Sequence, residues 1–143
     1  MRRLFIIRGV PGSGKSTLAN IVANGISEFA DMETSHIEAD DYFINKDGDY
    51  KFDPVLIPEA HNQCRERCRI LMEKKRPNII VSNTFTEEWQ IEWYRKEALA
   101  RGYTVIELVC LSKFESVHSV PEDTVVRMRK RLGRDLYSRL ITD

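Results

Sequence analysis

Residues 9–16 read GVPGSGKS, a complete G-x-x-x-x-G-K-[ST] string between the apolar run Leu4–Ile7 and the helix-like stretch TLANIVANGISEF. A strand before this string and a helix after it are the context that a phosphate-binding P-loop requires. Gly9, Gly12 and Gly14 allow the backbone to turn successive N–H groups toward a phosphate. The N-terminus of the following helix adds a positive dipole. The stretch therefore predicts an anion site at the end of a strand.

The side chains of this loop are those that a magnesium-bound nucleotide needs. Lys15 is placed to reach the β- and γ-phosphates, Ser16 to give a hydroxyl to Mg²⁺, and Thr17 to line the phosphate end. We expect ATP and Mg²⁺ as cofactors. The predicted cofactor-binding residues are Gly9, Pro11, Gly12, Ser13, Gly14, Lys15, Ser16 and Thr17.

Composition limits the other possibilities. A chain of 143 residues with 42% hydrophobic content fits a single domain spanning residues 1–143. Lys plus Arg equals Asp plus Glu at 22 each, so net charge does not steer the protein toward nucleic acid or membrane. Three cysteines, a strand-like start and no apolar run near ~20 residues predict a cytoplasmic protein with no membrane partner.

Apolar runs alternate with helical periodicity along the chain. This alternation predicts an α/β P-loop NTPase fold: a three-layer sandwich with a four-stranded, mostly parallel sheet and helices on both faces. Ligands of such sheets bind outside the carboxyl ends of the strands. The predicted strands are Arg3–Arg8, Ser35–Glu38, Asn78–Ser82 and Tyr103–Leu111; helices follow the P-loop, run from Pro54 or Pro58 to Lys75, from a Thr86 cap to a stop at Gly102, and onward from a Ser119–Glu122 capping box.

Two neighbouring carboxylates, Asp40 and Asp41, directly follow the second predicted strand. One of them is a candidate general base for transfer to an alcohol, a role that typically contributes roughly 10² to 10⁴ in rate. The alternative is that the pair only caps the short helical turn DYF. At the end of the third strand, Ser82 and Asn83 stand where P-loop enzymes commonly place an aspartate, and both are more typical of turn and cap formers.

Other conspicuous side chains have ordinary interpretations. The three histidines lack the spacing of a zinc site, and Cys64 and Cys68 lie one helical turn apart on an apolar face. Trp89 and Trp93 resemble a pair that packs against the sheet more than a stacking surface for a base. The row of arginines formed by residues 127, 131 and 134 is typical of a solvated helix face.

Taken together, several stretches resemble one family, namely RGVPGSGKSTLA, EADDYF, YKFDPVLIPEAHNQC, VSNT, WYRKEALARGYTVIE and SVHSVPEDTVVRMRKR. It is the small P-loop kinase domain of the Nedd4-binding-protein type and its phage-encoded relatives, akin to the kinase half of phage polynucleotide 5'-kinase. The resemblance implies that Asp40 deprotonates the acceptor hydroxyl, that Ser16 and Asp40 lie at the Mg²⁺, and that Lys15 binds phosphate. It also places Thr84 near the edge of the site.

The chain departs from this family at two places. Asn83 replaces an aspartate of the polynucleotide kinase, and the arginine-rich lid is shortened to a segment near residues 112–118, where Lys113 is the sole cation in LSKFES. Charge on the transferred group then needs another cation. Arg127 and Arg131, in the helix after the lid, are the candidates.

These features predict an ATP-dependent kinase that transfers the γ-phosphoryl to a hydroxyl, with a polynucleotide 5'-OH as the acceptor that the resemblance favours. The end of a single-stranded nucleic acid, or a nucleotide, is then the second partner beside ATP. A nucleotide or small-molecule kinase is an alternative favoured by the neutral charge. A catalytically weak ATP-binding regulator is a third, favoured by the shortened lid. The oligomeric state is not predicted.

Overall fold

A computed structural model describes residues 1–30, 32–113 and 120–142. Four strands alternate with four helices along these residues. The strands are β1 (Arg3–Arg8), β2 (Thr34–Ile37), β3 (Asn78–Asn83) and β4 (Thr104–Val109); the helices are α1 (Lys15–Ala30), α2 (Ile57–Glu73), α3 (Glu88–Ala100) and α4 (Glu122–Thr142). Two short 3₁₀ turns, Ala39–Phe43 and Pro54–Leu56, lie between β2 and α2.

The strands form one parallel sheet in the order β2-β3-β1-β4. Apolar side chains of β1 alternate between two cores. Leu4 and Ile6 pack with residues of α2 and α3, whereas Phe5 and Ile7 pack with Ala19 of α1. The strands therefore need apolar residues on both faces, as their continuous apolar runs predicted. The α/β fold with helices on both faces is confirmed, and β1 brings the P-loop to the carboxyl edge beside β3.

The predicted boundaries differ from the structure at several ends. The second strand is β2, which ends before Glu38, because Glu38 caps the following 3₁₀ turn. The Thr86 cap was wrong: Glu87 caps α3 in a reciprocal box with Gln90, while Thr86 is buried. The stop at Gly102 is confirmed by its φ of +77°.

Other helix and strand ends differ from their predicted positions by a few residues. Strand β3 continues through Asn83, and β4 is shorter at both ends than predicted. Pro54 begins a 3₁₀ turn, while α2 itself begins at Ile57 and ends at Glu73. The predicted Ser119 cap lies outside the described residues.

The two tryptophans of α3 do not behave as a pair. Trp93 packs on the core and meets Tyr94 edge-on, with 5.1 Å between ring centroids. Trp89 is 66% exposed, and its indole N–H donates to Glu87. The inward stripe of α3 is occupied by Ile91, Tyr94 and Ala98, so the predicted packing of Trp89 was wrong.

A buried arginine joins the carboxyl end of β1 to three other elements. The Arg8 side chain has no exposed surface and lies one residue before the P-loop. Its guanidinium donates to the Phe85 carbonyl after β3 at 2.8 Å, to Glu107 of β4 at 2.9 Å and to Asp135 of α4 at 2.8 Å. A buried charge is costly unless it is paired, so these three acceptors together compensate the burial of the Arg8 guanidinium.

We therefore expect Arg8→Met to lower the free energy of unfolding by about 3 kcal/mol or more, since Phe85, Glu107 and Asp135 would each lose their shared partner. Urea unfolding followed by circular dichroism measures this. The matched control is Arg76→Ala, which removes an exposed pair with Glu33 and should cost at most ~1 kcal/mol. Equal losses in the two variants would show that the buried contacts add no stability of their own.

Candidate functional site

The loop after β1 has the backbone shape of a phosphate cradle. Gly12 and Gly14 have φ values of +78° and +94°, in the region that glycine adopts without strain. Ser13 N–H donates to the Val10 carbonyl at 3.1 Å, which closes the turn. A Cβ at Gly9 would lie 2.2 Å from Ser13 Oγ and 3.1 Å from Cys110, so a side chain does not fit there. The loop shape therefore depends on glycine at all three positions.

Polar groups of this loop are set to meet a ligand. Lys15 Nζ donates to the Val10 carbonyl at 3.1 Å, and burial lowers the pKa of the Lys15 amine, against the opposing effect of Cys110, Glu38 and Asp40. Ser13 Oγ is buried and has no hydrogen-bond partner among the residues described. Ser16 and Thr17 are exposed at the start of α1. The ammonium and the open hydroxyls suit an anionic ligand.

The two aspartates after β2 have separate surroundings. Asp41 accepts from the Glu38 N–H at 3.1 Å and from Arg67 at 2.8 Å, so Asp41 is the third-position partner of the N-cap residue Glu38 in the capping box of the Ala39–Phe43 turn. Asp40 instead accepts from the Tyr50 hydroxyl at 3.3 Å. Asp41 thus takes part in the cap of the turn, whereas Asp40 lies close enough to Lys15 for its charge to raise the pKa of that amine.

The end of β3 supports this turn. Asn83 Oδ1 accepts from the Ala39 N–H at 2.7 Å, and its amide donates to the Cys64 sulfur at 3.7 Å. Asn83 is therefore a cap former, as its residue type indicated. Ser82 Oγ lies 2.6 Å from His36 Nε2 and donates to Glu38 at 3.2 Å.

Glu38 and His61 are titratable residues near the Asp40 turn that the sequence analysis did not single out. Burial is the largest cause that raises the pKa of the Glu38 carboxyl, while His36 opposes it. His61 of α2 lies close enough to feel the charge of Asp40; burial and Arg65 lower the pKa of its imidazole, so neutral imidazole predominates over a wider pH range. The sequence signals were the E of EADDYF and the AH of PEAHNQC.

The candidate arginines of α4 lie on its surface. Arg127 is 3.7 Å from Asp123, and Arg131 Nε is 3.6 Å from Glu87 Oε1, at the start of α3. Within the described ranges, neither forms a hydrogen bond or ion pair with the P-loop. Lys113 is the last described residue of the shortened lid; 114–118 lie outside the described part of the chain.

In the part of the chain that the structure describes, the candidate donors for Mg²⁺ are single oxygen groups rather than a cluster of carboxylates. The described residues contain no group of three His, Cys, Asp or Glu side chains arranged to hold a metal. Mg²⁺ usually takes one or two protein oxygens together with nucleotide phosphates, and the exposed Ser16 hydroxyl is such a donor. The residues therefore fit a metal that arrives with the nucleotide.

None of the described helices is long and apolar enough to cross a membrane.

Known proteins resemble this chain in sequence. A family model described as an AAA domain matches residues 4–132. NEDD4-binding protein 2 of Homo sapiens is 32% identical over 141 residues, which cover 92% of this chain but 8% of that protein.

Solved structures show the same fold at lower identity. A chain of the Pnkp1/Rnl/Hen1 RNA repair complex matches with a TM-score of 0.68 at 17% identity, covering 96% of this chain and 46% of that one. The Mycobacterium tuberculosis APS kinase CysC in complex with AMPPNP and APS matches with a TM-score of 0.59 at 17% identity, covering 96% and 72%. The chain thus has a P-loop kinase-like α/β fold.

Removing the loop ammonium should abolish nucleotide binding. We expect Lys15→Ala to show no measurable affinity for ATP with Mg²⁺ by calorimetry, since Lys15 is the charged group of the cradle, while circular dichroism shows an intact fold. Lys96→Ala is the control, because Lys96 is an exposed lysine paired with Glu92. Unchanged ATP affinity in Lys15→Ala would contradict the P-loop assignment.

Proposed function

Since the chain belongs to the AAA-domain family, we propose that it is an ATP-dependent kinase that transfers the γ-phosphoryl group to a hydroxyl. One observation carries the proposal. The Asp40 carboxylate, in the turn after β2, lies within electrostatic reach of the P-loop lysine, and it is Asp41 rather than Asp40 that pairs with Glu38 in the capping box. A phosphate cradle and a proton acceptor at one sheet edge are the two parts that transfer to an alcohol needs.

The acceptor that we propose is a polynucleotide 5'-OH. It is supported by the resemblance in EADDYF and in the segment after it, and by the likeness in fold to a chain of an RNA repair complex. The chain spans 8% of the length of NEDD4-binding protein 2 and 46% of the matching chain of the repair complex. Nucleotide and small-molecule acceptors are the alternative that the neutral net charge favours.

The proposed steps follow from the positions of the side chains. The loop N–H groups and Lys15 hold the β- and γ-phosphates, so that negative charge developing on the transferred group meets a fixed cation. Asp40 accepts the proton of the acceptor hydroxyl. At the same time the hydroxyl oxygen bonds to the γ-phosphorus, and the bond between the γ-phosphorus and the ADP oxygen breaks. Mg²⁺, when bound beside Ser16, supplies further charge neutralisation. Asn83 acts through Ala39 to hold the Asp40 turn in place.

A carboxamide at position 40 cannot accept the proton. We expect Asp40→Asn to lower phosphoryl transfer by roughly 10² to 10⁴ while ATP affinity stays nearly intact. Transfer from labelled ATP to a panel of 5'-OH DNA, RNA and nucleosides measures it. Asp41→Asn is the matched control: it weakens the cap and the pair with Arg67, so stability falls while turnover stays within about threefold. Asp40→Asn turnover within threefold of wild type would show that Asp40 is structural.

A cation from α4 should assist the transfer. Arginines in this role can contribute roughly 10³ to 10⁵ in rate. We expect Arg127→Ala or Arg131→Ala to lower transfer at least about tenfold without unfolding, because the shortened lid contains one cation before Val117. Arg69→Ala, which removes a surface arginine of α2 paired with Glu66 and Glu73, should not lower it.

The same panel decides between the kinase and the regulator. A wild-type protein that binds ATP but transfers phosphate to no acceptor would favour a catalytically weak ATP-binding regulator. That alternative is supported by the neutral Asn83 at the end of β3 and by the shortened lid.

A further inference from the structure

A small hairpin extends from the turn that carries Asp40. Ile44 and Tyr50 pair as an antiparallel bridge, and Asn45 N–H donates to the Asp49 carbonyl at 2.9 Å. Gly48 turns the chain with a φ of +84°. The returning strand is fixed to the turn by Lys51 N–H, which donates to the Phe43 carbonyl at 2.8 Å. The hairpin therefore has a defined position relative to Asp40.

Two aromatic rings on the returning strand are parallel and exposed. The planes of Tyr50 and Phe52 differ by 9°, with 6.4 Å between centroids. Both rings meet Phe43 edge-on, at 6.2 Å and 5.1 Å between centroids. Phe43 is 6% exposed, whereas Tyr50 is 37% and Phe52 is 52% exposed. A buried ring thus supports two rings that keep part of their surface exposed to solvent.

The same rings are joined to the proposed general base. The Tyr50 hydroxyl donates to Asp40 Oδ1 at 3.3 Å. Burial, followed by the charge of Asp40, raises the pKa of Tyr50 to about 12, so the phenol remains a donor at neutral pH. A group that rests on the Tyr50 ring would therefore lie next to the carboxylate that faces the acceptor hydroxyl.

The charge of the hairpin does not favour binding of a nucleic-acid phosphate backbone. Residues 44–53 contain two lysines, Lys46 and Lys51, and three aspartates, Asp47, Asp49 and Asp53, which gives a net charge of −1. Proteins that follow a nucleic-acid backbone do so through positive grooves, and their affinity falls steeply with salt. Aromatic rings without a positive groove instead favour the flat face of an unpaired base.

We propose that Tyr50 and Phe52 form a stacking platform for the nucleobase of the nucleotide whose 5'-hydroxyl meets Asp40. The proposal rests on the proposed kinase function and names the part of the acceptor that the site recognises. A terminal base of a single strand and the base of a free nucleoside share this chemistry. The acceptor is thereby selected by its base at the 5' end.

The test pairs changes in the protein with changes in the acceptor. Binding of a short 3'-fluorescein-labelled single strand with a 5'-OH is followed by anisotropy, with a nonhydrolysable ATP analogue present. A second strand is identical except for an abasic residue at its 5' end, and an unlabelled nucleoside serves as competitor. The protein variants are Phe52→Leu, Tyr50→Leu and Tyr50→Phe, with Tyr137→Leu as a control because Tyr137 is an exposed ring of α4.

We expect Phe52→Leu and Tyr50→Leu each to weaken binding of the intact strand at least about fivefold, and to leave binding of the abasic strand unchanged. Tyr50→Phe retains the ring, so it should bind like wild type, while the loss of its bond to Asp40 alters turnover alone. Affinity should change little between low and physiological salt. If the nucleoside competes, the base is sufficient for recognition. If the nucleoside does not compete, recognition requires the end of a strand.

Two results would overturn the proposal: equal loss of affinity for the intact and the abasic strand, or variants that bind both strands as wild type does. Either result leaves the kinase function standing if phosphate transfer occurs. Conversely, base-dependent binding without any transfer would retain the platform and remove the kinase function. Circular dichroism of each leucine variant shows whether the fold persists. If either unfolds, the abasic strand against wild-type protein still decides, because removal of the base must itself weaken binding at least about fivefold.

Discussion

The carboxyl edge of the sheet depends on the buried guanidinium of Arg8. This guanidinium donates to Glu107 in β4, to Asp135 in α4 and to the Phe85 carbonyl after β3, so it joins these three parts of the chain. Phe85 has a φ of +42°, which a residue with a side chain adopts only where its surroundings hold it. Because Gly9 directly follows Arg8, the same contacts also fix the start of the P-loop. The cradle is anchored to the sheet through this residue.

On the β2 side of the edge, the end of β3 contributes neutral side chains. Asn83 accepts from the Ala39 N–H, and Ser82 donates to Glu38, so β3 supplies hydrogen bonds where an aspartate would supply charge. Of the two neighbouring strand ends, therefore, only the residues after β2 contribute carboxylates, including Asp40, while the end of β3 contributes none. Their mutual repulsion contributes to the raised pKa of Glu38. A cation or a hydroxyl proton is the natural partner of such a group.

Short-range sequence patterns could be predicted from the sequence, whereas contacts between distant residues could not. The P-loop and the alternation of strands with helices are short-range, so the fold class and the position of the loop could be predicted. The pairing of Arg8 with Asp135 joins residues far apart in the chain, and no periodicity in the sequence indicates it. Trp89 followed helical spacing, yet Tyr94 filled the inward stripe. No sequence pattern indicates the hydrogen bond of Tyr50, and only the fold brings its hydroxyl to the Asp40 carboxylate.

The position of α4 also bears on how an arginine can act without a long lid. Asp135 binds Arg8 and Arg139 binds Glu107, so this helix is fixed to the sheet edge. Arg131 is held outward by an exposed pair with Glu87 at 3.6 Å. Such pairs contribute ~0–1 kcal/mol, whereas a rate effect of roughly 10³ corresponds to about 4 kcal/mol of charge stabilisation. In the proposed mechanism, loss of the exposed pair with Glu87 would therefore cost Arg131 less than a contact with the transferred group would contribute.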